Sequence, residues 1–206
     1  MAAACSLLAA QPAAADKPRN VDITPSSSRG ALLFKVRPQP VGHMLVFTRN
    51  QRSSFLSVGH RIWIKGTGPE KERFIVEILP PGEYRLNAVH QQQAWAACLE
   101  ARTLTVTIKA GEIAYLGSLD AGPTLATIQH NARLNKQMSA SAHELHLYRS
   151  NVVPPQIAER DAAAVAQAQT FVRQEMPKSS APVNLAHLEW GPFESSATHQ
   201  KLNACG

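Results

Sequence analysis

The chain has 206 residues, enough for one domain of ordinary size or a smaller one with an appended helical piece. Its 44% hydrophobic content suits a globular core, although much of that share is alanine and aromatics are only 6%. With 21 Lys and Arg against 15 Asp and Glu the net charge is +6, and no stretch approaches the length of a membrane-spanning helix. Trp63, Trp95 and Trp190 are expected to be core or subdomain anchors before anything else.

Residues 1–15 (MAAACSLLAAQPAAA) carry no charge and end in Ala13-Ala14-Ala15 before Asp16, a small-residue pattern that fits signal-peptidase cleavage. The positively charged start of a signal peptide is missing. Ala2-Ala3-Ala4-Cys5 resembles the lipobox of bacterial lipoproteins, which makes Cys5 the candidate lipidation site, although Ala2 stands where leucine is usual. The expectation is an export leader; the alternative is a flexible, alanine-rich cytosolic start. Residues 16–29 (DKPRNVDITPSSSR) have the composition of a linker.

From Gly30 short β-rich runs alternate with turn residues, and the domain is expected to span 30–150. Residues 31–36, 43–48 and 61–65 read as strands. Residues 73–79 (RFIVEIL) form another, ended by Pro80-Pro81-Gly82, because proline cannot donate to a ladder and glycine supplies unusual φ. Tyr84, Leu86 and Ala88 then alternate with Arg85 and Asn87. Leu104, Val106 and Ile108 alternate with threonines, the cleanest amphipathic strand in the chain. Ala110-Gly111 is expected to make a hairpin back into residues 112–119, until Asp120-Ala121-Gly122-Pro123 breaks the run. A further strand pair is expected over 124–133 and 143–149. After Pro154-Pro155 the period becomes about 3.6, which predicts a helix over 154–177 with Ile157, Ala164, Val165, Ala168, Phe171 and Val172 on one face. Residues 178–206 read as an irregular tail. The expected fold is mainly β, an antiparallel β-sandwich with a C-terminal α-helix.

LPPGEYRL followed by IKAGEIAYLGSL resembles exported bacterial β-sandwich domains of the transthyretin-like or carboxypeptidase-regulatory-like kind, an Ig-like architecture found in lipoproteins. The matching residues are Pro81, Gly82, Tyr84, Gly111, Glu112, Tyr115, Leu116 and Gly117, within residues 30–125. The resemblance implies fold and envelope location, and carries no catalytic residues. Pro80-Pro81-Gly82 is therefore expected to be a structural corner, with Tyr84 a core aromatic.

Other chemistry has thin support. In His143-Glu144-Leu145-His146 the histidines are three apart, one residue short of the metalloprotease pattern H-E-x-x-H, and on a strand they point to opposite sides. His43, His60, His90, His130, His187 and His199 show no ligand spacing. Nucleophile elbows, phosphate loops and dinucleotide fingerprints are lacking, so no catalytic residue, metal or cofactor is expected. Cys98 and Cys205 are the two cysteines left if Cys5 is removed or lipidated, and in an oxidising compartment they are the candidate disulfide. Two unpaired thiols are the alternative.

Charge is unevenly placed. Seven basic residues (Arg29, Lys35, Arg37, Arg49, Arg52, Arg61, Lys65) lie between Ile23 and Pro69 with no acidic one, whereas twelve basic and thirteen acidic residues follow. If the first three strands lie side by side, Lys35, Arg37, Arg49, Arg52, Arg61 and Lys65 form one anion-binding face. The expected function is a non-enzymatic, exported envelope module that binds or supports. Its partner would be an envelope protein or an anionic component: lipid headgroup, lipopolysaccharide or cell-wall polymer. Nucleic acid is not expected, and membrane association would come only through a lipid anchor. A hydrolase or metal-dependent enzyme, with a site assembled only in three dimensions, is the alternative.

Overall fold

The computed structural model of the protein describes residues 17–49, 60–66, 72–99, 102–139, 144–191 and 205. The leader, with Cys5, and Arg52 and His143 lie outside them. Twelve strands and two α-helices occur among the described residues. In chain order they are β1 (Gly30–Val36), β2 (His43–Arg49), β3 (His60–Ile64), β4 (Arg73–Leu79), β5 (Gly82–Gln91), β6 (Trp95–Cys98), β7 (Thr103–Ile108) and β8 (Ile113–Asp120). There follow α1 (Gly122–Leu134), β9 (His146–Tyr148), β10 (Gln156–Ala158), α2 (Ala162–Glu175), β11 (Val183–Leu185) and β12 (Leu188–Gly191).

The strands form two sheets. The first runs β10-β8-β1-β4, with β11 also on β8; the second runs β12-β7-β5-β2-β3, with β6 on β5 and β9 on β6. β1 shows why a continuous apolar run belongs in the first sheet. Its even positions, Leu32, Phe34 and Val36, enter a core cluster shared with Leu45, Phe47, Leu86 and Leu104 of the second sheet. Its odd positions, Ala31 and Leu33, enter a second cluster with Val76, Tyr115 and the α2 residues Ala164, Ala168 and Val172. A strand covered on both faces cannot alternate.

Several expectations need correction. β2 and β3 pair side by side in the second sheet, as expected, but β1 lies in the first sheet and is not their neighbour. β7 and β8 are likewise in different sheets. The turn at Ala110-Gly111 is therefore a crossing between sheets rather than a hairpin. Gly111 has φ of 66°, and an added Cβ would run into the backbone of Pro25, so glycine is required there. The Pro80-Pro81-Gly82 corner also carries the chain from one sheet to the other, from β4 to β5. Tyr84 is fully buried behind it, and its hydroxyl donates to the Pro80 carbonyl at 2.8 Å. Because the chain keeps changing sheets, β1–β8, β8–β11 and β6–β9 pair in parallel, and the sheets are mixed rather than purely antiparallel.

The expected strand over 124–133 is helix α1. Asp120 Oδ1 accepts from the Gly122 N–H at 2.8 Å, and Pro123 sits in the first turn, where its missing N–H costs nothing. Leu125, Ile128 and Ala132 then fall on one buried face. Residues 154–161 are not helical, as Gln156–Ala158 pair with β8. Helix α2 begins only after Asp161, whose side chain accepts from the Ala164 N–H at 2.8 Å.

The expected linker is a packed strap. Val21 and Ile23 are 0% and 2% exposed, and the Ile23 carbonyl accepts from the N–H groups of Ser180 and Ala181. The expected irregular tail contains β11 and β12, and Cys205 is bonded to Cys98 with 5.1 Å between their Cα atoms.

Candidate functional site

A cleft of about 770 Å3 opens between β4 and α2. It follows from how α2 packs. The small residues Ala164 and Ala168 let the helix lie close to the outer face of β8 and β1, with Val172 beside them. The neighbouring helical face, with Ala163, Gln167, Thr170 and Phe171, then looks across to Glu72, Arg73 and Phe74. Phe74 and Phe171 stack with ring centroids 4.4 Å apart and make an apolar wall.

Lys35 anchors one end. It projects from the outer face of β1, with its Nζ 5.7 Å from the Phe74 ring centroid. The ammonium donates to Glu159 Oε2 at 2.7 Å and to Gln167 Oε1 at 2.8 Å, and Glu72 stands 3.9 Å away. One side chain therefore ties β1, β4, the segment before α2 and α2 itself. Tyr115 is fully buried, and its hydroxyl has no hydrogen-bond partner among the described residues. Burial, reinforced by the carboxylates of Glu159, Glu72 and Asp161, pushes the phenol up to about 12. The phenol therefore stays protonated at neutral pH.

Arg160 closes the edge of the first sheet. β10 and β11 share one side of β8 end to end, pairing with residues 118–120 and 113–115. The interval holds Leu116 and Gly117, whose φ is 115°. Arg160 fills it, donating to the carbonyls of Leu116 at 2.6 Å and Ala186 at 2.5 Å. Desolvation by burial lowers the guanidinium from its usual range.

The basic set is divided between the two sheets, which corrects the expectation of a single face. Lys35 is neutralised by Glu159, and Arg37 lies 3.6 Å from Glu72 and 3.8 Å from Asp120. Arg29 donates to the Ile78 carbonyl at 2.9 Å, and the Arg49 guanidinium to that of Pro81. Arg61 and Lys65 are exposed on and just after β3. Acidic residues remote in sequence, Glu72, Asp120 and Glu159, supply the counter-charges that the basic segment itself lacks.

The histidines separate as well. His43 is buried and held down to about 4 by desolvation, with Arg73 adding to the effect and the Val41 carbonyl opposing it. His90 is lowered to about 4 by burial and by Arg61. His146 Nδ1 is 3.7 Å from Glu144 Oε1. Among the described residues no three His, Cys, Asp or Glu side chains gather as a metal site would require. None of their helices is long and apolar enough to cross a membrane.

Glu159, Arg160 and Tyr115 were not singled out by sequence as site residues, and the helix was expected to begin at 154 rather than after Asp161, whose side chain caps it. Comparison with known proteins finds no family model, no curated protein and no solved structure that matches the chain.

Proposed function

We propose that this protein is an exported, non-enzymatic module of the bacterial cell envelope that binds or supports a partner there. In this reading the two sheets are a β-sandwich of the transthyretin-like kind. The observation that carries it is the Cys98–Cys205 bridge, which joins β6 to a residue 107 positions later and suits an oxidising compartment. The alanine-rich leader ending in Ala13-Ala14-Ala15 supports the same compartment. The partner is an envelope protein or an anionic envelope component. Arg61 and Lys65, exposed on and just after β3, are cations of the basic segment that would meet an anion, and the Phe74–Phe171 wall offers apolar contact.

Trapping thiols by acid quench and alkylation of intact source cells tests the compartment. Unreactive Cys98 and Cys205, on a chain in the envelope fraction beginning at Asp16 or a lipidated Cys5, are expected. Reactive thiols on a cytosolic chain beginning at Met1 or Ala2 would overturn the reading. Binding to anionic vesicles should weaken as salt rises and fall in Arg61→Gln/Lys65→Gln. Salt-independent binding would remove these cations from the partner site.

A further inference from the structure

β3 is the last strand of the second sheet. Ile62 and Ile64 point into the core between the sheets, so Arg61 and Trp63 point outward, and Lys65 continues the alternation just past the strand. The indole therefore has a cation about 7 Å along the chain on either side. Trp63, expected as a core anchor, is half-buried instead. It pairs with Met44 of β2, and a Cβ added at Gly42 would touch its ring at 3.4 Å, so the indole leans over the start of β2 rather than standing off the sheet. A side chain at Gly66 would run into the Gly42 and Val41 backbones, and this close approach holds the end of β3 on β2. Arg61 pairs with Val46 of β2, and its charge helps to hold down His90 on β5, so it is felt across the outer face. Arg61 and Lys65 are exposed, and among the described residues no ion pair neutralises either.

We infer that this face of β3 binds an acidic polysaccharide, with one sugar ring on Trp63 and acid groups of the same chain on Arg61 and Lys65. The inference rests on the reading of the protein as an envelope binding module and names the anion it takes. A sugar ring offers a face of C–H groups that packs on an indole, while its acid groups project from the rim. A polymer repeats both, so cation, indole and cation in line meet acid, ring and acid. Exposed ion pairs contribute little singly, and the ring contact is what makes the charges selective. A bilayer suits the face less, because an indole leaning over Gly42 has little to insert. Single-stranded nucleic acid stacks successive bases on several rings. Phe47, Tyr84, Trp95 and Tyr148 of this sheet belong to the core, which leaves Trp63 without a neighbouring stacking platform among the described residues.

The test titrates the full chain with polygalacturonate, neutral dextran, an oligothymidylate and phosphatidylglycerol vesicles. Polygalacturonate should bind more tightly than dextran or the oligothymidylate, and its affinity should fall as salt rises. Trp63→Ala should weaken it about tenfold and Trp63→Phe much less, while attachment to vesicles, driven by charge, changes little. Arg61→Gln/Lys65→Gln, at exposed positions, should remove the salt dependence without moving the urea midpoint. Equal affinity for dextran, tighter binding of the oligothymidylate, a Trp63→Ala loss matched on vesicles, or salt dependence surviving the glutamine pair would overturn the inference. So would failure to bind polygalacturonate, and vesicle attachment retained in that case would leave the envelope reading standing. Polygalacturonate binding by a chain that proves cytosolic would sink the envelope reading and keep the site.

Discussion

Arg160 is a cation whose value is structural. Its guanidinium holds the Leu116 and Ala186 carbonyls in the interval between β10 and β11. Arg160→Met keeps the length of the apolar stem and leaves both acceptors unpaired. The expected loss is about 2–3 kcal/mol in urea unfolding, with little change in m. His43 acts through its neutral state. Its folded pKa of about 4 lies below the ordinary 6.5, so between those values the unfolded chain binds more protons than the folded one. Stability therefore rises with pH across that window and is lost as pH falls through it, by about 3 kcal/mol in total. Urea midpoints for His43→Gln should lose this part of the acid sensitivity, while a slope identical to that of the parent chain would count against His43 as its source.

At the scale of elements, α2 is short and rests on its cap and on an alanine-rich face. Asp161→Ala removes the acceptor for the Ala164 N–H and should cost about 1 kcal/mol, whereas Asp161→Asn should cost little. Because α2 forms one wall of the cleft, hydrogen exchange in its first turn should quicken in Asp161→Ala before the sheets are affected. α1 makes the complementary case. Its β-branched Thr124, Thr127 and Ile128 lean toward strand, yet Asp120 and Pro123 start a helix, and burial of Leu125, Ile128 and Ala132 completes it.

For the whole molecule, the bridge joins residues 107 apart. In the chain-entropy account, closing such a loop contributes up to about 4–5 kcal/mol by restricting the unfolded chain. Cys205→Ser and reduced parent chain should be destabilised by the same amount, and neither should respond further to reductant. A loss in the variant that reductant does not reproduce would place the effect in packing against Val46, Ala88 and Ala96 rather than in the covalent tie.

The sequence alone determined what local physics decides. Alternation marked β7, a Pro-Pro-Gly stop marked the corner after β4, and the helical spacing of Ala164, Ala168 and Val172 marked α2. Cys98 and Cys205 stood out because they were the cysteines left once Cys5 was assigned to the leader. Sheet membership was decided only in three dimensions. A strand shows which side chains alternate but not which backbone it pairs with, and a corner such as Ala110-Gly111 reads like a hairpin turn until the partners of β7 and β8 are known. The same limit hid the neutralisation of Lys35 and Arg37, whose carboxylate partners Glu72, Asp120 and Glu159 lie 35 to 124 residues away in sequence. It also hid the strap at Val21 and Ile23, since two apolar residues in a polar run become core only when β11 and α2 are folded against them.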